Sequence, residues 1–509
     1  MLARVRVTDS DIAKALLAAV AGAVLPLAYA PFGWFWLAPV SYAVLFLSWR
    51  GSRPRSAFWS GFAFGASSFL CGLYWVYISI HGYGQAPVWL AVVLTGALVA
   101  TLALFVASAG WLAARWFETS GPLAWWGSLP ALWVLLEWCR GWFLSGFGWL
   151  SAGYSQTDSW LMGYAPVLGV YGMSWIVLVS AGALVSIVLG TRRTRLSAAV
   201  LIAVLWVCGR LLDGHGWTSP RGKALTVALV QGAVSQDLKW LPEEKDKTLD
   251  LYARLTRASA GSDLIVWPEA AIPVLYQQVP DYLAGIRAWA ERHGSTVLLG
   301  ILRRDRSGEG FQNTLVALTN PPLFYVKRHL VPFGEYFPVP AFVRRWMRLQ
   351  SLPYTDAERG SANQPPLPIA GERIAVTICY EDVFGAEQLG SFPEATLLVN
   401  VSNDAWFGDS IAPHQHLQIA TVRAAETGRY MLRSTNTGIT AIIDPRGRVV
   451  GRAPQFEPYV LKGSVQGFTG ATPYVRWGNL PVVLGVGLVL GLSRLLRSSR
   501  YGAARKLRA

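Results

Sequence analysis

The chain moves between two patterns of apolar and polar residues. Up to about residue 212 the apolar positions run together in stretches near 12–30, 33–49, 57–78, 88–112, 123–139, 165–189 and 196–212, and another follows near 479–493. A ~30 Å hydrocarbon core takes about 20 helical residues to cross, so these stretches predict seven membrane spans and an eighth after a long polar insert. Between about 220 and 470 the apolar runs shorten to strand length and stand among charged, helix-patterned segments and Pro/Gly turns. Strands are predicted at 225–230, 263–267, 296–302, 315–318, 323–326, 374–378 and 396–401. Helices are predicted at 243–259, 281–293 and 415–427, with a hairpin over 439–450 turning at Asp444-Pro445-Arg446-Gly447. The expected fold class is α/β plus a polytopic α-helical membrane domain, with a layered sandwich inserted between transmembrane helices 7 and 8. The domain limits that follow are 1–219 for seven helices, 220–470 for the sandwich, and 471–509 for the eighth helix and a basic tail.

The chain has 509 residues, 53% of them hydrophobic, and a formal charge of +15. Where the positive charges fall decides what they mean. With the N-terminus inside the cell, the inner segments hold Arg4, Arg6 and Lys14; Arg50, Arg53 and Arg55; Arg115; Arg192, Arg193 and Arg195; and six more cations from Arg494 to Arg508. The short outer loops carry little beyond Arg140. This asymmetry orients the protein in a cytoplasmic membrane, with both termini in the cytoplasm and the sandwich on the outer face. A nucleic-acid surface would not alternate with loop number, so no nucleic-acid partner is expected.

Three residues at predicted strand ends suggest chemistry. Cys379 closes the apolar run that begins at Arg373, Glu269 follows Trp267-Pro268, and Lys327 follows 323–326. Cys71, Cys139 and Cys208 fall in or beside spans, which leaves Cys379 as the only thiol between 220 and 470, with no partner for a disulfide in that domain. An unpaired thiol in an oxidising compartment is easier to understand if it reacts, although a buried structural Cys behaves as a small hydrophobe. A free thiol with a pKa of ~8.5 is only slightly ionised at neutral pH and needs help to act as a nucleophile. Glu269 is placed to be its general base, and Lys327 to stabilise both thiolate and oxyanion. The plainer alternatives are a surface Glu at a strand end and a Lys in an ordinary ion pair. Carboxylate, ammonium and thiol in this order suggest covalent acyl chemistry.

The phrases Trp267-Pro268-Glu269, Lys327-Arg328-His329-Leu330-Val331-Pro332-Phe333-Gly334-Glu335 and Cys379-Tyr380-Glu381-Asp382 resemble the nitrilase superfamily, which uses a Glu, Lys, Cys triad on an αββα sandwich. With spans on both sides, the chain is most similar to the membrane-embedded branch of that superfamily, the apolipoprotein N-acyltransferases. Val230-Gln231-Gly232, Leu238-Lys239-Trp240, Asn400-Val401-Ser402-Asn403-Asp404-Ala405-Trp406-Phe407-Gly408 and Arg433-Ser434-Thr435-Asn436-Thr437-Gly438 extend the match over nearly the whole chain.

The resemblance implies a monomeric enzyme of the bacterial inner membrane, with its catalytic domain in the periplasm and no cofactor. It implies a phospholipid acyl donor, typically phosphatidylethanolamine, attacked by Cys379 at its sn-1 ester. The acceptor would be the α-amine of diacylglyceryl-cysteine on an apolipoprotein. Glu269 would move the protons and Lys327 would hold the oxyanion. Glu335 would be a second carboxylate orienting Lys327 or the amine, Tyr380 and Glu381 supports of the thiol loop, and Trp240 a substrate contact. Both substrates are anchored by acyl chains worth ~0.8 kcal/mol per buried CH₂, so the chemistry has to come to the bilayer surface. A membrane-tethered amidase using water as acceptor, and an outer domain that only binds ligand, remain as alternatives.

Other polar features are less specific. Glu137 and Arg140 are expected to pair or to snorkel near a span end, as are Arg210 and Asp213. His414 and His416 lack the companions of a metal site, and none is expected. The stretch 336–371 reads as irregular, and Phe342-Val343-Arg344-Arg345-Trp346-Met347-Arg348-Leu349 within it has the mixed character of an interfacial lid.

Overall fold

The computed structural model describes residues 9–305, 308, 310–336 and 357–506. The proposed lid segment Phe342 to Leu349 lies outside the described residues. The chain divides into two units: one takes the chain up to His215, Asp409–Gln418 and the chain from Arg476 onward, and the other takes Gly216–Gly408 and Ile419–Val475.

In the first unit every apolar stretch of the sequence is helical. The helices are Asp9–Val24, Leu37–Trp49, Pro54–Gly72, Val88–Trp116, Leu129–Arg140, Ala165–Leu189, Arg192–Asp213 and Leu480–Lys506. Among the described residues five helical segments are long and apolar enough to cross a membrane, and Pro54–Gly72 with Trp75–Tyr83, bent by 54°, makes a sixth candidate. Leu37–Trp49, with 13 residues, is shorter than a span. Pro54–Gly72 and Val88–Trp116 pack at backbone distance because of small residues: a Cβ on Gly61 would stand 2.7 Å from the Val106 carbonyl oxygen.

Glu137 and Arg140 correct the snorkelling expectation. Both are 4% exposed. Glu137 accepts from Trp133 Nε1 at 3.1 Å, the Ala152 N–H at 2.9 Å and the Ser174 hydroxyl. Arg140 donates to the carbonyls of Phe147 and Trp149 at 2.8 and 2.6 Å and to Ser151 Oγ at 3.2 Å. The loop after the helix folds back over its end, so these charges are spent on buried backbone rather than on water. Arg210 and Asp213 do pair, at 3.6 Å. Asp409–Gln418 joins this unit through Gln415, whose Oε1 accepts from both Trp75 and Trp149 Nε1 at 3.2 and 3.0 Å. The His416 ring packs tilted against Trp149, with centroids 5.4 Å apart.

The second unit is built on twelve strands among the described residues: β1 (Ser219–Gln231), β2 (Leu264–Val266), β3 (Thr296–Arg304), β4 (Phe311–Ala317), β5 (Leu323–Val326), β6 (Leu367–Ile369), β7 (Glu372–Ile378), β8 (Leu397–Ser402), β9 (Met431–Thr435), β10 (Ala441–Ile443), β11 (Val449–Arg452) and β12 (Tyr459–Thr469). They form two six-stranded sheets in the orders β12-β1-β2-β3-β4-β5 and β11-β10-β9-β8-β7-β6. Alternation divides β1 between two cores. Val227 and Leu229 of β1 face a core shared with Ile374, Val376 and Val399 of the other sheet, while Ala228 and Val230 face Tyr252, Leu283 and Ile286 of helices Lys245–Ala258 and Pro280–Arg292. Of the 336–371 stretch, residues 336 and 357–371 are described, and the described part is not wholly irregular. It contains β6, and Gln364 pins β5 by accepting from the Val326 N–H at 2.9 Å and donating to the Val326 carbonyl at 2.7 Å.

Strand direction sets where side chains gather. β1, β2 and β3 are parallel, and so are β7, β8 and β9. β4 is antiparallel to β3, and β5 to β4, so β5 ends on the same edge as β2. Glu269 after β2, Lys327 after β5, and the start of β4 therefore share one edge of the first sheet. Cys379 and Asn403 follow β7 and β8 at the corresponding edge of the second.

Candidate active site

Lys327 is the centre of a four-group cluster. Its Nζ, on a side chain 1% exposed, lies 2.9 Å from Glu335 Oε1 and 3.3 Å from Glu269 Oε1. Asn313 Nδ2 donates to the same two oxygens, at 2.7 Å to Glu269 and 3.1 Å to Glu335. The second oxygen of each carboxylate is held by backbone: Glu269 Oε2 accepts from the Asn403 N–H at 2.9 Å, and Glu335 Oε2 from the Val331 N–H at 2.8 Å. Burial by itself pulls the Lys327 ammonium down, but Glu269 and Glu335 more than reverse this and hold it well above the ordinary lysine value. The cluster thus presents a fixed cation between two carboxylates.

Glu269 owes its position to a close approach of backbones. Ala271 N–H donates to the Gly300 carbonyl at 2.8 Å, and Gly300 N–H to the Pro268 carbonyl at 3.2 Å. A Cβ on Gly300 would lie 2.4 Å from the Pro268 oxygen and 2.6 Å from Glu269 Cα, so only glycine lets β3 carry the loop there.

Cys379 directly follows β7 with φ +52°, a left-handed conformation that costs a residue with a β-carbon energy and persists where the surroundings enforce it. Glu381 supplies the enforcement. Its carboxylate accepts from the Ile378 N–H at 2.7 Å, from the Arg328 and His329 N–H groups at 2.8 and 3.1 Å, and from Tyr325 Oη at 3.0 Å. One side chain thereby ties the thiol turn to the segment that carries Lys327. Tyr380 packs edge-on to His329 and Phe384. Burial pushes the Cys379 thiol well up and the Glu269 charge adds to this, while Lys327 opposes. The sulfur is a thiol at neutral pH, so attack on a carbonyl requires its proton to leave as the new bond forms.

Trp240 is 48% exposed. Its neighbour Lys239 is 1% exposed, with Nζ 6.0 Å from the Trp240 ring. Burial pulls that amine down to about 8, against a raising pull from Glu269. Above about pH 8 the unfolded chain binds the more protons, so folding gains stability as pH climbs through that window, and below it the buried charge costs stability. Lys239→Met is therefore expected to stabilise the fold at pH 7, by on the order of 1–3 kcal/mol, with the gain shrinking towards pH 10. Thermal unfolding at the two pH values checks this; a variant less stable than the parent at pH 7 contradicts it.

Sequence reasoning singled out Glu269, Lys327, Glu335, Cys379, Tyr380, Glu381 and Trp240. The structure brings the first four and Glu381 into one connected region of the second unit. Asn313, Asn403, Ser402 and Lys239 were missed as individual residues. The signal for Asn313 was available: Gln312-Asn313-Thr314 is a polar run at the start of an otherwise apolar strand, and all three are buried.

Residues 21–183 match the apolipoprotein N-acyltransferase N-terminal domain, and residues 226–474 match carbon-nitrogen hydrolase. The chain is 46% identical to an apolipoprotein N-acyltransferase of Methylococcus capsulatus, covering 94% of each chain. It is 44% identical to that of Chromobacterium violaceum, over 96% of this chain and 94% of the relative. It is 45% identical to that of Azotobacter vinelandii, over 96% of each.

Proposed function

This chain belongs to the apolipoprotein N-acyltransferase family, and on that premise we propose that it takes the sn-1 acyl chain of a phospholipid, phosphatidylethanolamine first among them, onto Cys379 as a thioester and passes it to the α-amine of diacylglyceryl-cysteine on an apolipoprotein. The observation that carries this reading is Lys327 fixed between Glu269 and Glu335, near a thiol whose ionisation burial opposes.

In the first half-reaction the Cys379 proton passes to Glu269 as sulfur attacks the sn-1 carbonyl. Lys327 and backbone N–H groups near Cys379 hold the oxyanion. Collapse expels the lysophospholipid oxygen, which takes the proton from Glu269. In the second half-reaction the acceptor, having shed its ammonium proton to water, attacks the thioester. Glu269 takes a proton from the attacking nitrogen and returns it to the departing sulfur. Two carboxylates against one ammonium leave the site with a net negative charge, which suits an acceptor that arrives as a cation.

Phospholipid labelled in either the sn-1 or the sn-2 chain tests the donor. Full-length protein in detergent should acquire the sn-1 label on the peptide containing Cys379 and pass it to a synthetic diacylglyceryl-cysteine peptide. Ammonia release from carboxamides without any acyl transfer from phospholipid would replace this reading by an amidase.

A further inference from the structure

The thiol and the carboxylate that serves it stand on different sheets. Cys379 follows β7 of the second sheet and Glu269 follows β2 of the first, so their mutual placement depends on how one sheet is fixed over the other. The apolar core between the sheets sets their spacing, but a non-directional attraction does little to fix one sheet sideways over the other. At the edge that carries the site, hydrogen bonds take over from that core. Ser434 Oγ on β9 lies 2.9 Å from the Val230 carbonyl of β1 and 3.1 Å from the Val266 carbonyl of β2, with one hydrogen to share between them.

Asn436, just beyond β9 and 1% exposed, carries this seam to the site. Its carbonyl accepts from the Ala233 N–H at 3.0 Å, its Oδ1 accepts from the Val234 N–H at 3.0 Å, and its Nδ2 donates to the Val234 carbonyl at 2.7 Å. The same Nδ2 donates to Asn403 Oδ1 at 3.1 Å, and Asn403 Nδ2 donates to Gln236 Oε1 at 2.9 Å. The peptide group between Ser402 and Asn403 is held from both sides. Its carbonyl accepts from the Asn436 N–H at 3.2 Å, and its N–H donates to Glu269 Oε2 at 2.9 Å. A line of amides therefore runs from the 233–240 segment, which carries Trp240, through Asn436 and Asn403 to the Glu269 carboxylate. Glu381 makes the corresponding tie for Lys327, reaching from the thiol turn to the Arg328 and His329 N–H groups.

We propose that Asn403, Asn436 and Gln236 are positioning residues for the reaction, which fix the peptide group that orients Glu269 and so set the base of the first sheet in register with the nucleophile of the second. None of the three side chains hydrogen-bonds the carboxylate itself; they act through the Asn403 N–H. The 233–240 segment is set in the same register, since Val234 and Gln236 hold its two ends of the line. This rests on the reading of Glu269 as the group that takes the Cys379 proton.

The burst of p-nitrophenolate from p-nitrophenyl butyrate, measured on the full-length protein in detergent with Cys379→Ala as the blank, reads that step alone. Sulfur takes the butyryl group, p-nitrophenolate leaves, and the thiol proton passes to Glu269. No phospholipid or apolipoprotein takes part, so a different donor or acceptor leaves this test intact. Asn436→Ala is expected to slow the burst by roughly 10- to 100-fold through misplacement of the base. Gln236→Met should slow it by about two- to tenfold, the worth of one neutral hydrogen bond. Made in a Glu269→Gln protein, neither substitution should slow the burst further, because the group they position is gone. Slowing by the same factor in both backgrounds would mark the seam as merely structural and overturn the proposal. An unchanged burst rate in either single variant would overturn it as well. Should Asn436→Ala not fold, Gln236→Met with and without Glu269→Gln still decides.

Discussion

Cys379→Ala is expected to end acyl transfer to apolipoprotein, with a loss on the order of 10⁴-fold or more, because removing a covalent nucleophile removes the pathway and not one contact along it. The fold should survive. Cys379 holds a left-handed φ of +52° that alanine shares, so the alanine variant keeps the parent's strain. Cys379→Gly relieves that strain and should be more stable than the alanine variant by about 0.5–1 kcal/mol while remaining inactive. Thermal unfolding of the two variants beside an acyl-transfer assay checks both statements. A glycine variant less stable than alanine would mean that the positive φ is not strained.

Lys327→Met carries the second large effect, on rate and stability together. It takes away the charge that meets the oxyanion, expected to lower thioester formation by roughly 10²- to 10³-fold. It also leaves Glu269 and Glu335 facing each other with Asn313 Nδ2 as their shared donor. Breaking a buried ion pair from one side is worth on the order of 3–5 kcal/mol, so the unfolding midpoint should drop. Adding Glu335→Gln removes one of the stranded charges. The double variant should regain much of the midpoint and none of the rate, which separates the structural share of Lys327 from its chemical share. Recovery of rate in the double variant would place the oxyanion elsewhere.

How far the sequence reaches can be judged from particular segments. The runs at 225–230, 296–302, 374–378 and 396–401 are β1, β3, β7 and β8 because each is a nearly unbroken apolar stretch of strand length, as parallel strands covered on both faces must be. β12 was not visible: Tyr459-Val460-Leu461-Lys462-Gly463-Ser464-Val465-Gln466-Gly467-Phe468-Thr469 is interrupted by two glycines and lies at a sheet edge, half exposed. A Cβ on its Gly467 would stand 2.1 Å from the Glu372 carboxylate, a close approach by a strand far away in sequence. Asn313 became legible as part of the site only once β4 and β5 were paired, since that pairing sets the Lys327 N–H on the Asn313 carbonyl at 2.8 Å. Glu137 and Arg140 misled because hydropathy places them at a span end, where water is the default partner. A returning loop gave them backbone instead.

The most direct test is the intact mass of the full-length protein purified from membranes, compared with Cys379→Ser and repeated after addition of a diacylglyceryl-cysteine peptide. The parent should carry a mass increment of one fatty acyl group that neutral hydroxylamine removes and that the peptide discharges with formation of an amide. The same increment on the serine variant in hydroxylamine-sensitive form, or transfer of acyl to the peptide by a parent that never carries it, would contradict a route through the Cys379 sulfur.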